Sequence, residues 1–223
     1  ISAKTGNNIP DLLRMIAVTE PSIVWALGQA LPQYRWQMAW RSIASAASVA
    51  AAIALTPLPI IDFLPLTVTQ SVMVLGVARI YNYKITPKRA KELVVSFGLG
   101  FLGRTLFYEL SKFGGFPGWS LAAAVSVSTT VVMGYAAVLW FERGERLTND
   151  TVRQLSKNLT KTFFENLNSL GKKKLGQIGI KIAVEEMLNQ SPLGDDRTLI
   201  DHQAAEIMLE NENIEVEKPK IND

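Results

Sequence analysis

The sequence predicts an all-α membrane protein: two transmembrane helical hairpins, about four apolar helices in all, followed by a C-terminal amphipathic helix. Three observations carry this. First, charge is segregated. The chain is 48% hydrophobic yet holds 23 basic and 20 acidic side chains, while residues 42–78 carry only Asp62 and residues 113–141 carry no charge. A hydrocarbon core of about 30 Å is crossed by about 20 apolar residues in helix, and the runs 43–61, 63–81, 93–112 and 119–141 are of that order. Second, the first two runs meet at Pro57-Leu58-Pro59-Ile60-Ile61-Asp62-Phe63-Leu64-Pro65, where three prolines break the helices and no polar loop intervenes. Third, basic residues sit at alternate ends: Arg35 and Arg41 before the first run, Lys84, Lys88, Arg89 and Lys91 in the middle linker, Arg143 and Arg146 after the last. The positive-inside rule then places both termini on the cytoplasmic or stromal side of an integral membrane protein. A soluble bundle with buried Ala-rich helices is the competing reading of the same composition.

The opening, residues 1–20, reads as a strand end, a turn at Gly6 and a helix. Asn8 is placed to cap that helix, Pro10 and Asp11 suit its first turn, and Leu12, Leu13 and Ile16 form its apolar face. Residues 21–146 form the membrane-associated hairpin domain. Small residues repeat at four in Ala46, Ala50 and Ala54 and in Ala122, Ser126, Thr130 and Gly134. Gly98, Gly100 and Gly103 crowd the third run. Such ridges let helix backbones approach closely in lipid. Thr67, Thr69 and Gln70 are placed to hydrogen-bond between helices, and Trp36, Trp40, Trp119 and Trp140 fall near run ends, where indoles prefer the membrane interface. Asp62 is expected at a hairpin tip, capping the second helix or reaching headgroups. Arg104 and Glu109, five residues apart, are poorly spaced for a same-face pair, so each pairs across helices or the third run is only partly inserted.

Residues 147–190 read as a basic amphipathic helix. Val152, Leu155, Leu159, Phe163, Leu167 and Leu170 share one face, residues 150–181 hold seven basic against two acidic side chains, and Gly171, Gly176 and Gly179 loosen or break the helix. Such a helix lies on anionic lipid or packs on a partner. Residues 191–223 read as an acidic, disordered tail.

Composition excludes several chemistries. The chain has no Cys and a single His, His202, which rules out disulfides, thiolate metal sites, multi-His metal sites and thiol nucleophiles. No catalytic residue and no metal ligand is assigned. The aromatic side chains of the basic stretch lie on its core face, so nucleic acid is not an expected partner.

Two resemblances follow from these residues. Ile1-Ser2-Ala3-Lys4-Thr5-Gly6 with the helix after it resembles the last guanine-recognition loop and last helix of an α/β Ras-like GTPase domain of the Era/TrmE/Der kind. The resemblance implies that the Ala3 amide faces the guanine oxygen, the Lys4 stem lies along the ring and Ser2 braces the loop. The phosphate loop, the switch threonine, and the Asp-x-x-Gly and Asn-Lys-x-Asp motifs do not occur in the chain. By this reading the chain is the later part of a longer GTPase: GTP is a cofactor of the parent, and none is expected for these residues alone. Pro57, Pro59, Asp62, Pro65, Leu66 and Gln70, with Arg35, Arg41, Gly118-Trp119 and Phe141-Glu142-Arg143-Gly144, resemble the membrane-associated domain of unknown function of YcjF-type proteins, found in some bacterial and cyanobacterial GTPases.

The expected role is membrane anchoring or coupling for a linked GTPase, without catalysis of its own. The expected setting is a bacterial inner membrane or a thylakoid. The bilayer is the first partner, and a membrane-protein complex and a second copy are further ones. The alternatives are a structural subunit of a larger, photosynthetic membrane complex and a soluble helical interaction module.

Overall fold

A computed structural model describes residues 2, 4–54, 63–83, 118–169 and 176–217. Among them are eight helices and no strand: α1 (Ile9–Thr19), α2 (Val24–Ala30), α3 (Arg35–Ala54), α4 (Phe63–Ile80), α5 (Gly118–Arg143), α6 (Asn149–Ser169), α7 (Gln177–Asn189) and α8 (Thr198–Glu217). The candidates Pro57, Pro59, Asp62, Gly98, Gly100, Gly103, Arg104 and Glu109 lie outside the described residues, as does the apolar run 93–112.

The bundle is organised around α5. α3 and α4 pack on one side of it, α6 runs antiparallel along another, α7 lies on α3, and α8 lies on α6. The sequence dictates this order. α5 carries no charge before Glu142, and its Ala, Ser, Thr and Gly residues leave the backbone approachable on several faces. At Gly134 the α3 side chain of Ile43 comes so close that a Cβ would collide with it, so this member of the small-residue ridge is a close helix–helix contact. On another face the hydroxyls of Ser128 and Thr160 share a hydrogen bond between α5 and α6. Gly144, at φ 72°, ends α5 by donating its N–H to the Trp140 carbonyl over 2.9 Å, a left-handed position suited to glycine. The spacing read for α6 is the buried one: Val152, Leu155, Leu159, Phe163 and Leu167 all face the core.

Several expectations are corrected. Among the described residues only one helix, Ser120–Arg143, is long and apolar enough to cross a membrane, and 94% of its apolar window is enclosed by the protein itself. The apolar part of α4, Pro65–Ile80, is shorter. Two spanning hairpins are therefore not established. Where a basic helix loosened or broken at Gly171, Gly176 and Gly179 was expected over 147–190, α6 and α7 stand: Gly176 is the N-cap of α7, Gly179 lies inside it, and Leu170 and Gly171 lie outside the described residues. Where a disordered tail was expected, α8 forms, because Ile200, Ala204 and Ile207 recur at helical spacing and are buried among acidic neighbours. Asn8 stands at the start of α1 but makes no side-chain cap. It adopts φ 61°, and only its carbonyl accepts from Leu12 N–H, at 3.2 Å.

Candidate functional site

The start of α3 and the ends of α4 and α5 meet at one level. Arg35 lies over the Tyr81 ring at 5.9 Å, the Tyr83 and Phe141 rings are 5.0 Å apart, and Arg146 stacks 3.8 Å from the Trp140 ring. Gln29 on α2 donates to the Arg79 carbonyl at 2.9 Å, tying the first helices to the same end. Beyond this basic and aromatic level neither α3 from Ser42 to Ala54 nor α4 from Phe63 to Ala78 carries a charge. Val68 and Val72 on α4 are nonetheless 54% and 64% exposed. The charged residues lie elsewhere: Arg153, Lys161 and Glu165 are exposed on α6, and Lys181 and Glu186 on α7.

At the same end the C-terminal helices are clasped to the bundle. Trp36 donates its indole N–H to the Leu193 carbonyl at 2.8 Å, and Trp40 donates to the Leu188 carbonyl at 3.0 Å. A Cβ on Gly194 would lie 2.6 Å from the Trp40 ring, so only glycine fits there. Arg197 pairs with Glu142 of α5 and, at 3.1 Å, with Asp201 of α8, which also accepts from the Tyr135 hydroxyl at 2.7 Å. Burial disfavours the Arg197 charge, but the hydrogen bond and charge of Glu142, with those of Asp201, hold its pKa above the ordinary value. Tyr81 lies nearby with no well-formed hydrogen bond to its hydroxyl. Burial, and then the charge of Glu142, push its pKa well up, although Arg197 attracts the ionised form.

The residues singled out in the sequence are distributed differently from expectation. Trp36 and Trp40 are buried under the C-terminal segment rather than set at a lipid interface, because their N–H groups find backbone carbonyls there. Gln70 does bond between helices, donating to Thr130 on α5 at 3.2 Å, whereas Thr69 donates to the Pro65 carbonyl of its own helix. Pro65 lies in the first turn of α4, where a missing N–H costs nothing. Ser2 accepts from the Thr5 N–H at 3.2 Å and closes a turn with Asn7, Lys4 is exposed, and Ala3 is outside the described residues. Among the described residues no three His, Cys, Asp or Glu side chains gather as metal ligands. Sequence reasoning missed the clasp. Arg197 and Asp201 have the i,i+4 spacing of a helical pair, but nothing marks Glu142 or Tyr135 as their partners.

Residues 26–112 match the family model described as a domain of unknown function, DUF697. This is the domain usually found beside GTPases, as in YcjF-like proteins. The DUF697 match covers most of α2 with α3 and α4, and stops before α5 to α8. No GTPase family model matches the chain. No curated protein and no solved structure matches it either.

Proposed function

We propose that this chain is a non-catalytic membrane-coupling module that holds a linked G domain at a membrane and passes its nucleotide-dependent changes to the bilayer or to a membrane partner. The observation that carries the reading is the end where three helices share a basic and aromatic level, with α3 and α4 uncharged beyond it. That is the distribution expected of helices entering lipid from the cytoplasmic side. The DUF697 match and the resemblance of Ser2-Ala3-Lys4 to a guanine loop support the link to a GTPase; GTP belongs to the parent in this reading. The test is flotation of the 223-residue chain with vesicles of anionic lipid. Recovery with the vesicles in high salt supports the reading, and a chain left at the bottom of the gradient refutes it.

One observation favours the soluble helical interaction module as second reading: the most apolar helix is 94% enclosed over its apolar window. Two spanning hairpins would need α5 in the bilayer. α6 runs beside it with Lys157, Lys161 and Glu165, so crossing by α5 requires α6 to leave.

A further inference from the structure

The helix long enough to span is not the helix that offers an apolar surface. α5 is wrapped on all sides, whereas α4 up to Ala78 and α3 from Ser42 onward are uncharged and partly open. Between them runs a groove of about 640 Å³. Ser45, Val49, Val68 and Val72 line its length, and Arg41 and Glu185 stand at one end. From α7, Glu185 and Asn189 line it, and Ile178 and Ile182 continue the same helical face beyond it, 77% and 59% exposed. A groove of this volume, apolar along its length and charged at one end, has the form of a site for an amphiphile.

We propose that the outer face of α3 and α4, with this groove, is embedded in one leaflet of an anionic bilayer, while α6 stays in water. This rests on the membrane reading above and goes beyond it by naming the face and the depth. The charge pattern selects the occupant. Arg41 lines one end of the groove and Arg79 is exposed in the last turn of α4, while α3 and α4 carry no acidic residue. Anionic headgroups match that end, and acyl chains match the stretch from Ser45 to Val68. A soluble partner helix would find one acidic residue on the rim, Glu185 of α7 beside Arg41, and none along α3 or α4. The opposite flank is closed to lipid. α6 packs on α5 and α8, away from α3 and α4, and its outward residues include Arg153, Lys161 and Glu165. Hydrocarbon would strip these charges of their hydration, whereas water solvates them. The bundle is thus seated sideways in a leaflet, not threaded through the membrane by α5.

The absence of native cysteine makes single-site labelling direct. Val72→Cys, Val68→Cys and Lys161→Cys are made in the full chain, each carrying an environment-sensitive fluorophore, and mixed with anionic vesicles containing a lipid that bears a quencher on its acyl chain. The expected result is blue-shifted, quenched emission at positions 68 and 72, with unshifted, unquenched emission at 161. Flotation of the same samples separates the two levels of the argument. Failure to float removes the membrane reading and this proposal with it. Flotation with no change at 68 and 72 overturns the proposal alone, because another surface meets the lipid. Flotation with equal quenching at all three positions also overturns it alone, in favour of an opened, spanning state.

Discussion

Gly134 and Ile43 allow the α3–α5 contact to be tested by sign as well as size. A Cβ at Gly134 would lie 2.7 Å from Ile43 Cδ1, 3.1 Å from Cγ2 and nearer still to Cγ1. Ile43 is fully buried, so its side chain can admit the methyl only by shifting against packed neighbours. Overpacking of this kind costs about 1–3 kcal/mol. Alanine is favoured over glycine inside a helix by about 1 kcal/mol. Gly134→Ala should therefore cost about 0–2 kcal/mol in the native background. Ile43→Ala alone should cost about 2–5 kcal/mol, by loss of buried area and creation of a cavity. In that second background the obstruction is gone, and Gly134→Ala should stabilise by about 1 kcal/mol. The coupling between the two sites is then about 1–3 kcal/mol. Urea unfolding followed by far-UV circular dichroism would measure it, supported by melting temperatures, where 1 kcal/mol is worth about 2–4 °C in a chain of this size. An effect of Gly134→Ala with the same sign and size in both backgrounds would refute the close approach of α3 and α5.

Arg197→Met should destabilise the chain by about 1–3 kcal/mol, because it leaves Asp201 and Glu142 without their cation in a partly buried setting; the double change with Asp201→Leu should recover part of this, and no recovery in denaturant melts would argue against a coupled network. Asp196 accepts from the Thr198 amide at 2.9 Å and from its hydroxyl at 2.6 Å, and these bonds, the hydroxyl's first, hold its carboxyl below the usual range. A depressed carboxylate stabilises the fold above its unfolded pKa of about 3.9 and loses that contribution as pH falls through its folded value, so Asp196→Ala should lower the melting temperature at neutral pH and matter less in acid below that range; an equal effect at both pH values would count against the turn. Calorimetric titration of the 223-residue chain with GTP should show no binding, since only the base-side loop resembles a G domain; micromolar affinity would overturn the reading of Ser2-Ala3-Lys4.

The sequence was most informative where a single segment carries its own period. Val152, Leu155, Leu159, Phe163 and Leu167 repeat at three and four and all are buried, so the inner face of α6 was readable in advance. The close contact at Gly134 and the hydrogen bond of Gln70 to Thr130 were readable for a similar reason: small or amide side chains in an uncharged run have few other uses. What could not be read depends on partners far apart in sequence. The Trp36 and Trp40 indoles look like interfacial anchors until their acceptors are known, and those acceptors are backbone carbonyls, which leave no trace in composition. The buried line of Ile200, Ala204 and Ile207 was obscured by the acidic residues around it, whose net charge suggested disorder. The run 119–141 was seen as apolar, but length and hydropathy are equally those of a central core helix, and only the neighbours distinguish the two cases.

The clasp also sets an order of events during synthesis. Trp40 and the carbonyl that receives its indole N–H are separated by 148 residues. At about 5–20 residues per second, α3 emerges roughly 7–30 s before α7 exists to cover it. During that interval the Trp36 and Trp40 indoles lack the carbonyls that later receive them, and their surface is open to whatever meets a nascent chain first, whether a chaperone, a neighbouring chain on the same polysome or the membrane. The surface that the clasp finally covers is therefore open throughout the synthesis of the 148 residues between the indole and its acceptor.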